Sequence, residues 1–213
     1  MEAKTKDLWV FIETNEDGTA KNVGLELLTP GRTLADKQNG ALVAVVIGNH
    51  VDAAVQAVGE LGADKIIVVE GEEYEHFTTD AYAIALCSLV EKYGPTSMLI
   101  GATPNGRDVG PRVSSRLGTG LTADCTALDI DEETGNVAWT RPAFGGNLMA
   151  TILCPDHRPV PCAPACLRRA SPARIRPRSF GRICMSPRRT SVPRLSKSSK
   201  RLAARMSIWR AQM

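Results

Sequence analysis

The sequence predicts an α/β fold, a doubly wound and mostly parallel sheet that ends in a small antiparallel meander. Short, continuous apolar runs alternate with stretches of helical periodicity, and that alternation requires right-handed crossovers within a parallel sheet. After Thr122 the pattern changes to short extended segments separated by turn residues, which predicts the meander.

Four apolar runs are rich in β-branched residues and bounded by Gly, Asp or Asn. They are Leu8–Ile12, Ala41–Ile47, Lys65–Val69 and Ser97–Ile100. Runs of this length and composition are typical of strands buried on both faces of a sheet. We therefore expect four parallel strands.

Helical spacing of apolar residues lies between these runs. Val51–Leu61 carries valine and leucine along one face, and Thr79–Tyr93 does the same until Gly94-Pro95 stops it. Glu26–Asn39 is predicted to be helical as well, with an interruption at Pro30-Gly31. These segments are the expected crossover helices.

The meander is predicted from three segments joined by two turns. Cys125–Asp131, Val137–Arg141 and Leu148–Leu153 are the extended segments, and the turns are Glu132–Asn136 and Phe144–Asn147. Both turns contain glycine next to asparagine or a second glycine, as hairpin connections commonly do. The sheet is thus expected to end without another helix.

Charge divides the chain into two unlike parts. Residues 1–159 hold 12 basic and 23 acidic residues, a formal charge of −11, whereas residues 160–213 hold 14 basic residues and no acid. A segment this rich in Arg, Pro and Ser cannot bury enough apolar surface to form a core. We expect one domain over 1–159 and a disordered basic tail over 160–213.

Targeting signals and oxidised cysteines are not indicated. The sequence holds no run of about 18 apolar residues that would span a membrane, and its start lacks the apolar region of a signal peptide. Cys87 and Cys125 lie in apolar runs of the acidic part, where reduced core thiols are the ordinary state. These features predict a cytoplasmic protein with no membrane span.

Catalytic and metal-binding patterns are scarce. His50, His76 and His157 are far apart, and Cys162 and Cys166 form a single pair without a second pair to complete a zinc site. No nucleophile elbow or glycine-rich phosphate loop occurs. The sequence therefore predicts no catalytic residues and no metal, and favours a binding or electron-carrier domain over a hydrolase.

The first candidate site follows the fourth predicted strand. Pro104–Asp108 leads into a helix that continues through Leu117, so Asn105, Arg107 and Asp108 lie at the carboxyl end of a strand. Ligands and partners commonly bind there, because the amides at a helix start favour negative charge. A capped helix start with a solvated Arg107 is an equally open interpretation.

The second candidate site is the turn Arg141–Asn147. Pro142 fixes its own backbone angle, and Gly145-Gly146 permits conformations and close approaches that other residues cannot make. An arginine on such a turn is well placed to meet a flat or anionic partner. An ordinary hairpin turn is the alternative.

These motifs resemble those of a known family. The run Gly101–Val113, continuing through Leu117–Cys125, strongly resembles the signature of electron transfer flavoprotein alpha subunits. Arg141–Asn147 looks like the second signature of their N-terminal domain, and Leu8–Glu13 fits its first strand. The resemblance covers roughly residues 5–159.

The resemblance implies an electron carrier subunit, not an enzyme. Members pair with a beta subunit of similar fold, contain FAD in the intact heterodimer, and carry electrons from acyl-CoA or other dehydrogenases; no nucleic-acid partner is implied. The resemblance places the Arg141–Asn147 signature at the alpha–beta interface, and in bifurcating members, which divide electron pairs between two flavins, it implies that an Arg there lies near the beta-side flavin. The residues it assigns to the partner interface are Asn105, Arg107, Asp108, Arg141, Phe144 and Asn147. The alternative is a small nucleotide-binding α/β domain without a redox role.

The tail departs from the family pattern. An FAD-binding domain is expected after Pro159, and its motifs do not occur in this sequence. When Arg189–Met213 is back-translated and shifted by one base, a consistent choice of codons gives DIRTKIVEIVKAAGGEDVDLEGAD, which resembles the family's lead-in to that domain. We therefore interpret the tail as out-of-frame translation and expect the chain alone to bind no flavin. A basic arm for nucleic acid is the alternative for the tail.

Overall fold

The computed structural model describes residues 5–153 and 208–212. The first part of the chain alternates strands and helices, and the second is a run of strands. The elements are β1 (Leu8–Ile12), α1 (Asn22–Gln38), β2 (Leu42–Gly48), α2 (Asp52–Glu60), β3 (Lys65–Glu70), α3 (Thr79–Tyr93), β4 (Ser97–Leu99), α4 (Pro104–Leu117), β5 (Ala127–Ile130), β6 (Val137–Ala143), β7 (Leu148–Leu153) and β8 (Ile208–Gln212).

The main sheet is parallel over four strands, in the order β4-β1-β2-β3. Alternate residues of β1 belong to different apolar cores: Val10 packs with residues of α1 and α2, and Phe11 packs with residues of α3 and α4. Helices therefore cover both faces, and the predicted doubly wound α/β fold is confirmed. The chain runs outward from β1 to β3 and then returns to β4, so the order reverses between β1 and β4.

Helix α1 differs from its prediction in two ways. It begins at Asn22, four residues before the predicted start, and it continues through Pro30. The early start lacked a sequence signal, because the preceding Lys21 makes no side-chain cap. The neighbouring Gly31 lets the helix lie directly on the sheet, since a Cβ there would be 2.9 Å from Leu42 Cδ1.

The predicted meander is confirmed as a three-stranded antiparallel sheet in the order β5-β6-β7. It packs on α1 through Trp139, which is 1% exposed and belongs to the same apolar core as Leu27 and Leu34. On the surface, Lys37 Nζ of α1 lies 2.5 Å from Asp129 Oδ1 of β5. The meander is therefore attached to the main domain by a buried aromatic ring and an exposed ion pair.

The tail contains one element that the sequence did not predict. Ile208–Gln212 forms β8, which pairs antiparallel with β3 at the edge of the main sheet. The physical reason for this pairing is that β3 would otherwise leave a row of backbone groups unpaired, and an extended segment can pair there whatever its composition. The disorder predicted for the tail as a whole stays a prediction. Residues 160–207 lie outside the described residues.

Within residues 5–153 and 208–212, every helix is too short or too polar to cross a lipid bilayer.

Candidate functional site

The first predicted loop is a tightly packed helix start. Thr103 is the N-cap of α4, its Oγ1 accepts a hydrogen bond from the Gly106 amide at 2.9 Å, and Pro104 occupies the first turn. A Cβ on Gly106 would lie 2.0 Å from the carbonyl oxygen of Gly101. Glycine is required at 106 because the helix start is pressed against the end of the preceding strand.

A buried carboxylate lies beside this helix start. Glu13 follows β1 directly and is 5% exposed. It accepts a hydrogen bond from the Thr103 hydroxyl and forms an ion pair with Lys21, whose Nζ lies 3.1 Å from its Oε2. The two partners compensate the cost of burying its charge. Glu13 thus joins the end of β1 to the starts of α1 and α4.

Glu13 also fills the position that the fold offers to ligands. In an open α/β sheet that position is the crevice where strand order reverses, here between β1 and β4. A Cβ on Gly101, just past β4, would lie 2.6 Å from Val23 Cγ1. Because the Glu13 carboxylate lies at the start of α4, its negative charge counts against a phosphate group at that helix start.

The predicted residues of this loop have different environments. Arg107 is exposed, and its Nη2 lies 2.7 Å from Asp124 Oδ1 in the segment that leads into the meander. Asp108 is exposed, and Asn105 is half-buried at the mouth of a cleft. The start of α4 is capped, as expected from the alternative interpretation of this loop as a capped helix start with a solvated Arg107. Arg107, however, forms an ion pair with Asp124.

The cleft beside Asn105 was not predicted. It holds about 440 Å³ between the carboxyl ends of β1, β2 and β3, and its lining includes Glu13, His50, His76 and Tyr82. The sequence feature that could have revealed the cleft is the position of these residues near the ends of neighbouring parallel strands.

Two tyrosines line this cleft. The Tyr82 hydroxyl donates to the Tyr74 carbonyl at 3.1 Å, and burial raises the pKa of both tyrosines to about 12. Both phenols therefore remain protonated at neutral pH.

The second predicted loop is an exposed hairpin turn between β6 and β7. Phe144, Gly145 and Gly146 all have positive φ, at 48°, 70° and 93°. Glycine adopts this region readily, whereas Phe144 is in it at a steric cost. The Phe144 side chain is 81% exposed, so no packing with the described residues repays that cost.

Arg141 lies on β6 with its Cα opposite Ala150 of β7. It is on the same side of the sheet as Trp139, because side chains alternate along a strand. Arg141 is half-buried and forms no ion pair with residues in the described part of the chain.

Pro142 follows Arg141 without costing a hydrogen bond of the ladder. The Thr126 amide donates to the Thr140 carbonyl at 2.9 Å, so the backbone of Thr140 faces the β5 side. Pro142 is two residues further along β6, so its backbone faces the β5 side as well. β5 begins at Ala127, opposite Thr140, and therefore has no residue opposite Pro142. The strand thus accepts proline and keeps Arg141 on a stiff segment.

Apolar side chains are exposed around this turn and along β7. We call them the hairpin surface, and they are Phe144, Leu148, Met149, Ile152 and Leu153. Leu148 and Ile152 lie on the same side of this sheet as Trp139, and Met149 and Leu153 lie on the other side, because side chains alternate along a strand. Among the described residues β7 pairs only with β6, so it is an edge strand of the meander with exposed apolar side chains on both faces.

The two predicted loops are joined only indirectly among the described residues. No hydrogen bond or ion pair there connects Asn105 or Asp108 with the hairpin turn. The link runs from Arg107 to Asp124, and then through the Thr126 amide to β6 beside Arg141. Asn147, at the end of the turn, is exposed.

Comparisons with known proteins place these features in a family. The electron transfer flavoprotein domain matches residues 8–162. Electron transfer flavoprotein subunit alpha of Thermoanaerobacterium thermosaccharolyticum is 50% identical over 154 residues, covering 72% of this chain and 46% of that protein. Protein FixB of Clostridium saccharobutylicum is 49% identical over 157 residues, covering 74% and 46%.

A third match extends further along the chain. Electron transfer flavoprotein subunit alpha of Clostridium acetobutylicum is 42% identical over 202 residues, covering 95% of this chain and 56% of that protein. The chain thus spans about half the length of the curated relatives it matches. Since the family match covers both candidate loops and most of the chain, this protein belongs to the electron transfer flavoprotein domain family.

Proposed function

We propose that this chain supplies the N-terminal domain of an electron transfer flavoprotein alpha subunit, which works in the cytoplasm with a beta subunit and carries electrons from dehydrogenases without turning over a substrate. The main support is the hairpin surface, a set of exposed apolar side chains on the turn and on both faces of an edge strand. Relatives of about 50% identity carry the name of the alpha subunit.

The partner interface is proposed to have an apolar centre and a polar border. Phe144 is the anchor, because an aromatic side chain that is exposed in the free chain gains most from burial in a partner's pocket. Asn147 and Arg141 flank it on the same hairpin. Asn105, Arg107 and Asp108 are proposed to extend the interface at the start of α4.

Arg141 is proposed to lie near the flavin of the beta subunit. Arg141 is a half-buried residue on β6, and it forms no ion pair with an acid among the described residues. A cation in this position suits a flat, electron-rich group. When bound in the heterodimer, FAD supplies the electron-carrying chemistry. The contribution of Arg141 is a fixed positive charge that favours the anionic reduced forms of that flavin.

FAD binding by this chain alone is not part of the proposal. The family's FAD-binding domain would follow Pro159, and the sequence after that point reads instead as an out-of-frame tail. The domain over residues 5–153 is therefore proposed to supply the surface for the partner and not the flavin site. We expect the purified chain to be colourless.

The experiment is to co-purify the chain with a flavin-containing beta subunit and to titrate the beta-side flavin by spectroelectrochemistry. Arg141→Ala is expected to lower the potential at which the anionic reduced flavin forms, and Arg141→Lys to preserve it in large part. Arg116→Ala, on the surface of α4, is the matched control and should leave the potential unchanged. Failure to co-purify would contradict the proposed pairing, whereas a complex with unchanged potentials would leave Arg141 with a structural role.

A further inference from the structure

β3 is the last strand of the parallel part of the main sheet, and its residues belong to the buried core. Its central residues Ile66, Ile67, Val68 and Val69 are all buried, and β2 covers only one of its two edges. A flat, β-branched strand with an open edge is a template for pairing with another chain. The edge therefore needs a cover.

The direction of each amide on β3 follows from one hydrogen bond. The Asp64 amide donates to the Leu42 carbonyl at 2.9 Å, so residue 64 faces β2. Because backbone groups alternate along a strand, Ile66 and Val68 face β2 as well, whereas Ile67 and Val69 face the opposite edge.

The chain's own end lies along that opposite edge. Ile67 is opposite Ala211 and Val69 is opposite Ile208, with a bulge in β8 between these pairs. Ile67 faces β8, so its pair with Ala211 is of the hydrogen-bonded type. The neighbouring pair of Ile66 with Gln212 is of the other type, and the Gln212 amide faces away from β3.

From this pairing we infer that the β3 edge is a strand-accepting site and that Ile208–Gln212 of the same chain is its occupant. The segment between Leu153 and Ile208 has 54 residues, and the entropy of closing such a loop rises only slowly with its length. The C-terminal strand acts as a detachable cover that keeps β3 from pairing with a second copy. This inference concerns the main sheet, whereas the hairpin surface is on the three-stranded sheet. It therefore stands or falls separately from the proposed function.

The test is amide-resolved hydrogen exchange on the purified full chain by NMR. In the intact chain the amides of Ile67 and Val69 should be protected. Ala211→Pro removes the amide that pairs with Ile67, and we expect exchange at Ile67 and Val69 to accelerate at least tenfold. Ile66 and Val68, which face β2, should change less than twofold and serve as internal controls.

Gln212→Pro is the matched control variant. It introduces the same residue one position along, where the lost amide faces away from β3, and an edge strand tolerates proline there. Protection at Ile67 and Val69 should be retained. Deletion of residues 208–213 should abolish that protection in dilute solution and increase self-association in light scattering.

Two results would overturn the inference. One is exchange at Ile67 and Val69 that is as slow after the deletion as before it, or already fast in the intact chain. The other is protection in the intact chain that disappears on dilution, since the occupant would then be the strand of a second copy.

Discussion

Arg107 Nη2 and Asp124 Oδ1 lie 2.7 Å apart and join the start of α4 to the segment that leads into the meander. Both side chains are exposed, so water and salt screen the pair. This ion pair holds the two candidate loops in position but contributes little to the stability of the fold. We expect a double-mutant cycle with Arg107→Ala and Asp124→Ala, measured by urea unfolding, to give a coupling of less than about 1 kcal/mol. A coupling above about 2 kcal/mol would show that the pair is a structural requirement.

The buried carboxylate of Glu13 should matter more. Glu13→Gln removes the charge that pairs with Lys21 and weakens the hydrogen bond from Thr103. We expect the free energy of unfolding to fall by about 1–3 kcal/mol, because a buried polar group is left incompletely satisfied. Glu16→Gln, at an exposed position, is the control and should stay within about 0.5 kcal/mol of the parent chain. Equal effects of the two substitutions would rule out a special role for Glu13.

The same carboxylate leads to a prediction about nucleotides. Because the Glu13 carboxylate lies at the end of β1 and is hydrogen-bonded to the N-cap of α4, titration of AMP or ATP into the chain should show no saturable binding by calorimetry. Saturable binding that Glu13→Gln strengthens would instead favour the nucleotide-binding alternative, since removing the negative charge would help a phosphate to enter.

Alkaline pH should destabilise the domain. Burial raises the pKa of Cys87 to about 11 and that of Tyr74 and Tyr82 to about 12, from ordinary values of 9 and 10. The folded state therefore holds protons that the unfolded state releases, and stability falls as the pH rises from about 9 toward about 12. Urea unfolding between pH 8 and pH 11 should show this decline, and Tyr82→Phe should make it shallower. A stability that stays constant over this range would contradict the assigned burial.

Trp139 is expected to dominate the attachment of the meander. Its ring is buried in the core shared with α1, and its Nε1 has no hydrogen-bond partner among the described residues. Trp139→Ala should lower the free energy of unfolding by about 3–5 kcal/mol. Trp139→Phe should cost less, since it keeps most of the apolar volume and removes an unpaired donor. Similar losses for both variants would mean that the indole nitrogen is hydrogen-bonded.

The strands and the two candidate loops were predictable, whereas the buried Glu13 and the cleft that it lines were not. Leu8–Ile12 and Lys65–Val69 could be identified from the sequence because strands buried on both faces are continuously apolar. The role of Glu13 depends on Thr103, which is 90 positions away, and no local pattern reports such a contact. β8 was missed for a similar reason, since backbone pairing with β3 decides its conformation and not its own composition.

The interpretation of the tail predicts a specific gene structure. If residues 160–213 are translated out of frame, the coding DNA between about the codons for Cys154 and Cys162 should contain a frame-shifting insertion or deletion, and the alternative frame should continue into an FAD-binding domain. The support is the reversal from 23 acids before Val160 to none after it. Genomic DNA without such a continuing frame would refute this interpretation.

Calorimetric titration of the chain with a flavin-containing beta subunit tests the central claim most directly. We predict saturation at one chain per beta subunit. Phe144→Ser should weaken binding at least tenfold without changing stability by more than about 0.5 kcal/mol, because the side chain is 81% exposed. Glu133→Ala, in the other turn of the meander, should bind as the parent chain does. No saturable binding, or equal affinities for Phe144→Ser and the parent chain, would contradict the claim that the hairpin surface receives the beta subunit.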